Sequence, residues 1–240
     1  CEASQLTFTK TQPWSEIYKR DDHGRDIVYL DIDGIEELES LIPLLPPPCN
    51  NSELVKLEVD YLLDLQKMRT DIDVQRILNE ISFGGFNFAH IQGNMLNPYS
   101  GENELSDFIT NILNDVGSIA FYFKQKFNRV RPIYLNSNIA PAIVVPRHPA
   151  YPSAHATQAH TLAMILAMFS PNSYEEFKKS AHMISTDREL AGVHYPTDTE
   201  AGFFIAKLYF ENARKNARFL KDFELAKKAY NEIIYFKKQN

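Results

Sequence analysis

No run of about 18 consecutive apolar residues occurs in this chain, so no segment is suited to cross a bilayer as a helix. Glycine is scarce, nine residues among 240, and helix-forming residues dominate. Basic residues are outnumbered: 25 lysines and arginines face 31 aspartates and glutamates. The resulting net charge of −6 argues against nucleic acid as the main partner. Only two cysteines are present, Cys1 and Cys49, too few and too far apart in sequence for a disulfide framework or a zinc site. Internal repeats and low-complexity tracts are also absent. What remains is a 27.6 kDa chain able to bury roughly 70% of its unfolded surface, enough for a core without covalent staples.

Residues 1–50 read as an extended N-terminal segment packing on the rest. Residues 51–240 read as a single all-α domain, a compact helical bundle around a buried central helix at about 154–169. Within the first segment, residues 26–34 suit a short strand or a loop, and residues 41–48 (Leu-Ile-Pro-Leu-Leu-Pro-Pro-Pro) cannot be helix. Asp31-Ile32-Asp33-Gly34 looks like the nucleophile motif of haloacid dehalogenase-type phosphatases. That fold needs alternating strands and helices, and little downstream reads as strand.

From residue 52 the spacing is helical. Leu54, Leu57, Tyr61, Leu65 and Met68 recur at helical intervals. Thr70 with Asp73 marks a second start, Gly84-Gly85 a break, and residues 83–103 a loop. A long helix follows, expected to end near Val130 because Pro132 disfavours a helical Arg131. Residues 131–152 hold five prolines and read as loop. Beyond the central helix, Ser173 with Glu176 and Thr197 with Glu200 read as capping boxes, Gly192 as a helix stop and Asp222 as the cap of the last helix. The count comes to seven or eight helices.

Polar groups gather where these helices begin or end. The first group is Lys124-Gln125-Lys126-Phe127-Asn128-Arg129-Val130-Arg131. Lys124 and Arg131 stand about two turns apart, on one side of the expected helix end. Four cations so close together in an acidic chain look like an anion site, although a cationic last turn also simply suits the helix dipole. The second group is Pro152-Ser153-Ala154-His155. Ser153 caps a helix that is apolar nearly all round, so its free N–H groups offer an anion site inside the molecule. His155, in the first turn, is placed to pass a proton to whatever that anion is bonded to. The third group runs from Asp187 and Arg188 to His194 and Asp198. A carboxylate beside an imidazole fixes its tautomer, as nucleophilic or base catalysis requires. Taken singly, each group has a plainer structural reading: a dipole-matched turn, a capped helix with a satisfied histidine, a loop histidine near a helix-starting aspartate.

Together the three groups follow one pattern: Lys124, six residues, Arg131-Pro132; then Pro152-Ser153-Ala154-His155; then Arg188, five residues, His194, three residues, Asp198. This resembles the type 2 phosphatidic acid phosphatase superfamily, and within it the soluble bacterial class A nonspecific acid phosphatases. With the Pro-rich residues 44–48 and the helices after them, the resemblance covers about residues 41–210. It implies that His194 attacks phosphorus and becomes a phosphohistidine, that Asp198 orients it, and that His155 protonates the leaving alkoxide and then activates water. It also implies that Lys124, Arg131, Arg188, Ser153 and the backbone N–H of Ala154 hold the phosphate. No metal is needed in that scheme, since three cations and a helix N-terminus can supply the charge. A mildly acidic optimum follows, because His155 must start protonated while His194 attacks neutral. The family usually has Gly where Ala154 stands and Ser where Asp187 stands. The first departure would strain a left-handed backbone, and the second could weaken the hold of Arg188 on phosphate.

The same pattern is similar to that of vanadium-dependent haloperoxidases, which would make vanadate a cofactor; in a phosphatase it would be an inhibitor. A catalytically silent phosphate-binding lipoprotein is the non-enzymatic alternative. Implied substrates are small phosphomonoesters, extending to lipid phosphates at a membrane surface; oligomeric state is not specified. A cysteine at the first position resembles a bacterial lipoprotein after removal of its signal peptide, so the chain is expected to be exported to the periplasm, anchored through Cys1 or with Cys1 paired to Cys49. His148 and His160 flank the motifs, and His23, His90 and His182 have no evident partner in the sequence.

Overall fold

The structure, a computed structural model, describes residues 5–15, 27–80 and 103–239. Among the described residues it is all-α: α1 (Phe8–Thr11), α2 (Ile35–Leu41), α3 (Glu53–Met68), α4 (Asp71–Asn79), α5 (Glu104–Phe127), α6 (Ala154–Phe169), α7 (Tyr174–Leu190), α8 (Pro196–Ala213) and α9 (Ala217–Gln239). Single 3-10 turns lie at Pro132–Tyr134 and Pro171–Ser173. The extended pairing among these residues is an isolated bridge between Thr7 and Arg129.

Central helix α6 lies where its sequence puts it. Ser153 caps it, Oγ accepting the Ala156 N–H at 3.3 Å. No acidic or cationic Lys or Arg side chain interrupts it, and it packs against α5, α7 and α8. Its buried hydroxyls are satisfied within the helix: Thr157 donates to the Ser153 carbonyl at 2.9 Å and Thr161 to the Thr157 carbonyl at 2.8 Å. Gln158 donates to the Leu113 carbonyl of α5 at 3.3 Å. A helix with polar side chains can therefore be buried without stranding a hydrogen-bonding group. Ile165, Leu166 and Phe169 join one core with Phe108 and Ile112 of α5 and Ile184 of α7.

Helix α8 meets the start of α6 at very close range, and Gly202 permits it. A Cβ there would stand 2.7 Å from the Ser153 carbonyl oxygen, 2.8 Å from Ala156 Cβ and 3.0 Å from the Thr157 nitrogen. Two of these neighbours are backbone and cannot move aside. Gly202→Ala is expected to cost about 1–3 kcal/mol by overpacking, read as a lowered unfolding midpoint.

The N-terminal segment enters the core rather than lying only on its surface. The Asp115 carboxylate of α5 accepts the N–H groups of Val28 at 2.8 Å and Tyr29 at 3.0 Å, and the Tyr209 hydroxyl of α8 at 2.8 Å. The Tyr29 ring then packs against Phe108 and Phe219, with centroids 5.6 and 5.4 Å away. Helix α2 adds regular structure to the extended reading of residues 1–50. It buries Leu38 and carries Glu36 and Glu37 in its first turn, where the dipole favours acids. Residues 27–34 form no strand. Asp31 accepts from the Asn216 amide at 2.7 Å, and the Asp33 N–H donates to Glu37 at 2.6 Å. The two aspartates thus stitch this segment to neighbouring elements, and the dehalogenase-like resemblance has no structural counterpart.

Several boundaries differ from the sequence reading. Helix α5 stops at Asn128, which takes a left-handed conformation (φ 50°) that asparagine tolerates, two residues short of Val130. Ser173 makes no side-chain cap, its hydroxyl meeting that of Ser170 at 3.2 Å. Helix α8 begins at Pro196, so Thr197 lies inside its first turn instead of capping it. Asp222 lies within α9, where Asn216 makes the cap by accepting the Phe219 N–H at 2.9 Å. Gly192 follows α7 with φ 73°, the expected stop. Gly84-Gly85 and all but the last residue of the loop read over residues 83–103 lie outside the described residues, as do Cys1, His23 and His90.

Candidate active site

The left-handed Asn128 decides how the first cations converge. Instead of continuing the helix, the chain turns, and Arg131 becomes extended (φ −74°, ψ 152°). Lys124 and Arg131 therefore do not share a helix face, as their spacing suggested. They meet through the backbone of residues 148–150. Lys124 Nζ donates to the carbonyls of Pro149 and Ala150 at 2.8 and 2.9 Å. Arg131 donates to the carbonyls of His148 at 3.0 Å, Pro149 at 3.2 Å and Val193 at 2.7 Å. The Val193 contact draws in the turn between α7 and α8. The Ser153 N–H donates to the Asp198 carbonyl at 2.9 Å, locking the start of α6 to the start of α8. The three sequence groups thus form one buried cluster.

His194 lies at its centre. Nδ1 is 3.0 Å from Asp198 Oδ2 and Nε2 is 3.0 Å from an Arg131 nitrogen. A guanidinium can only donate, so Nε2 accepts and the proton sits on Nδ1, directed at Asp198. The Nε2 lone pair consequently faces the cationic side of the site. Burial, reinforced by Arg131, holds the pKa of His194 well below its ordinary value against the opposing pull of Asp198. The ring is neutral, the form a nucleophile needs. Burial alone would push the Asp198 carboxyl up, but Arg129, His194 and the Tyr195 N–H together hold it below the usual carboxylate range.

The sequence counted Arg129 only among the four cations of a candidate anion site and gave Glu58 no role, yet both support this pair. Arg129 donates to Asp198 Oδ1 at 2.6 Å, Thr197 Oγ1 at 2.8 Å and Glu58 Oε2 at 3.0 Å. Its guanidinium also lies 3.8 Å from the Tyr195 ring centroid. The other Glu58 oxygen accepts the Thr197 N–H at 2.7 Å. One signal in the sequence pointed to Glu58. It falls on the same helical face as Val55, Val59 and Leu62, and a carboxylate at a core position calls for a buried cation.

Arg188 closes the cluster from the last turn of α7. One terminal nitrogen donates to the Ile77 carbonyl at 3.3 Å and to the Glu80 carboxylate. Its Nε and other terminal nitrogen are buried with no hydrogen-bond partner among the described residues. Two orphaned donors of a buried cation are the arrangement a tetrahedral oxyanion would satisfy. Burial pushes the pKa of Lys124 well down, with Arg131 adding to it, and brings Arg131 to about 10. His155 stands in the first turn of α6, hydrogen-bonded to the Glu80 backbone carbonyl; burial and then Arg188 lower its pKa to about 3.

Of the two departures, Ala154 is harmless. It lies inside α6, and Asn128 is the one non-glycine residue with positive φ among those described. Asp187 does not approach the anion donors freely, since both its oxygens are engaged by Arg76 at 2.6 and 2.7 Å. His148 is closer to the site than its loop setting indicated: its Nδ1 accepts from Arg131 at 3.0 Å, and its ring packs 5.0 Å from Phe121. His160 is elsewhere. With His182 and Phe203 it lines a groove of about 790 Å³ between α6, α7 and α8 that none of the cluster residues lines.

Among the described residues no group of three or more His, Cys, Asp or Glu is placed to hold a metal ion, and no helix is long and apolar enough to cross a membrane. The sequence profile of the PAP2 superfamily matches residues 105–210. A non-specific acid phosphatase of Providencia stuartii is 23% identical over 135 residues, 54% of each chain. The chain thus spans about half the length of that relative. A non-specific acid phosphatase of Salmonella typhi is 22% identical over 213 residues, 82% of each chain. The solved structure of a bacterial vanadium-dependent iodoperoxidase superposes with a TM-score of 0.58 at 15% identity, covering 77% of this chain and 54% of that one, a likeness of fold.

Proposed function

We propose that this chain, whose residues 105–210 match the PAP2 superfamily, is a metal-independent acid phosphatase acting on phosphomonoesters through a phosphohistidine. The observation that carries the reading is the Nε2 lone pair of neutral His194, oriented by Asp198 and directed at Arg131, in a cluster that also holds buried Lys124 and the orphaned donors of Arg188. The ester phosphate would lie among these cations, with Ser153 and the Ala154 N–H completing its cradle. Nε2 forms the new bond to phosphorus as the ester P–O bond breaks, and His155 gives the leaving alkoxide its proton. Water, deprotonated by His155, then attacks the phosphohistidine and releases phosphate and neutral His194.

With no anion in place His155 is held to about 3, so it does not arrive charged. A dianionic ester beside it offsets the Arg188, Lys124 and Arg131 charges and raises its pKa toward the ordinary value. Protonation is thereby coupled to substrate binding, which favours an acidic optimum. A disulfide at Cys49 suits an exported, periplasmic chain, and with one other cysteine in the sequence it competes with a lipid anchor at Cys1, which lies outside the described residues.

The fold likeness to a haloperoxidase supports a second reading. Vanadate is a phosphate-like oxyanion, and the same cationic and orphaned donors fit it. Lys124, Arg131, Arg188 and Ser153 would hold its oxygens with His194 Nε2 facing the metal, and the group would supply peroxide activation. Hydrolysis of p-nitrophenyl phosphate from acidic to neutral pH in excess EDTA separates the readings. Turnover indifferent to EDTA is expected, and its abolition by EDTA would sink the metal-independent mechanism. Inertness toward the ester together with bromide oxidation in vanadate and peroxide would favour the haloperoxidase.

A further inference from the structure

On the Nδ1 side of His194, buried charges continue past Asp198 into helix α3. Asp198 divides its two oxygens. Oδ2 lies 3.0 Å from His194 Nδ1 and accepts the Tyr195 N–H at 3.1 Å, while Oδ1 accepts from Arg129 at 2.6 Å. An arginine held so closely would by itself cancel the Asp198 charge and leave little of it for the imidazole. Arg129 is shared, however. Its other terminal nitrogen donates to Glu58 Oε2 at 3.0 Å, and Glu58 Oε1 accepts the Thr197 N–H at 2.7 Å. Both of these partners of Glu58 are donors, which suits an ionised carboxylate. The side chains of Glu58, Arg129, Asp198 and His194 are at most 4% exposed. Helix α3 holds Glu58 in register, since Val55, Val59 and Leu62 of the same face pack in one cluster with Tyr195.

Glu58 and Asp198 thus set two negative charges against the single positive charge of Arg129, and the three together carry a net charge of about −1 beside a neutral ring. That ring does not stay neutral in the proposed reaction. The Nε2 lone pair forms the bond to phosphorus, the electron pair of the ester P–O bond leaves with the alkoxide, and the alkoxide takes its proton from His155. Nδ1 keeps its own proton, so phosphorylated His194 is a cation. Resting on the phosphatase reading of His194, we propose that Glu58 is a positioning residue: it holds Arg129 so that a net negative charge remains behind His194 as the ring becomes positive. With a neutral residue at position 58, Arg129 and Asp198 would cancel each other. Charges act strongly here because water is excluded from between them. Glu189 is a further carboxyl that senses this group. Burial first, and the Asp198 and Glu58 charges with it, raise its pKa to about 7, so in acid it is neutral and does not replace Glu58.

Two substitutions separate charge from shape. Glu58→Gln keeps the length of the side chain and removes its charge, and it strands no lone ion, because Arg129 stays paired with Asp198. Glu58→Asp keeps the charge and shortens the side chain by a methylene. The quantity to read is kcat/KM for p-nitrophenyl phosphate at acidic pH, which covers the steps up to the phosphohistidine, per mole of folded protein. It should fall about tenfold in Glu58→Gln and no more than about threefold in Glu58→Asp. Inhibition by inorganic phosphate, whose binding leaves His194 uncharged, should be no weaker in Glu58→Gln than in wild type.

The reverse order, with Glu58→Asp the more damaged, would mean that shape alone matters and would overturn the role of the charge. A fall of about tenfold in Glu58→Asp would do so by itself, which keeps the test decisive if Glu58→Gln does not fold. Weaker phosphate inhibition in Glu58→Gln would reveal a disturbed phosphate site and also overturn the inference. Active wild type matched by both variants removes the role of Glu58 and leaves the phosphatase reading intact. Wild type that does not hydrolyse the ester overturns that reading and this inference with it.

Discussion

Replacing His194 with alanine is expected to lower kcat for phosphomonoesters on the order of 10⁵-fold. The size of the effect follows from the geometry. His194 is the imidazole that a carboxylate, Asp198, orients so that its Nε2 lone pair is directed at Arg131. His148 Nδ1 is occupied by Arg131, and His155 is bonded instead to the backbone carbonyl of Glu80. Asp198→Asn separates orientation from presence. An asparagine amide can present its N–H to Nδ1, which would move the imidazole proton to Nε2 and bury the lone pair in the wrong place. A fall of about 10³–10⁴-fold in kcat is expected, with KM changed much less. Steady-state kinetics across acidic to neutral pH check both variants. Activity of His194→Ala within tenfold of wild type would mean that some other group attacks phosphorus.

The second large effect concerns stability. Arg129 is the shared partner of two buried carboxylates, Glu58 and Asp198, and removing it takes the directly bonded cation from both. Arg129→Ala is expected to cost about 3–5 kcal/mol. Lysine should not rescue it, since a single ammonium lacks the planar fork that reaches Thr197, Asp198 and Glu58 together. The pH dependence has a definite sign. In wild type the Asp198 pKa lies below its unfolded value, so its stabilisation is present above an unfolded pKa of about 4 and is lost only in stronger acid. Without Arg129, burial raises that pKa instead, and the penalty grows as pH climbs above about 4. Denaturant unfolding should therefore find the variant's deficit larger at neutral than at acidic pH. An equal deficit at both would show that lost packing, including the Tyr195 stack, outweighs the charges.

What the sequence disclosed and what it hid follow from the range of the interactions. The extent of α6 was legible because its signals are local: Pro152, Ser153 and an unbroken helix-forming run that ends at Ser170-Pro171. That Lys124, Arg131, Arg188, His194 and Asp198 belong together as one candidate site was readable from their order and spacing. Their geometry was not, since the meeting of Lys124 and Arg131 depends on one left-handed residue, Asn128, and on carbonyls more than twenty positions along the chain. Arg129 drew attention as a cation but not as the support of Asp198, because its partner Glu58 lies 71 residues away. Asp187 drew attention as a departure, and its meaning rests on Arg76, 111 residues earlier. Capping boxes misled where a competing bond was available: Asp198 takes the Tyr195 N–H, and Glu58 takes the Thr197 N–H that a cap would have used.

The most direct test of the account is to trap the covalent intermediate. Protein mixed rapidly with p-nitrophenyl phosphate in excess EDTA, quenched within a turnover and digested under alkaline conditions, should yield a peptide phosphorylated on His194. The adduct should be stable to base, labile to acid and missing from His194→Ala. A phosphoryl group recovered on Asp31 or on another histidine, or rapid turnover with no adduct at any quench time, would contradict attack by His194.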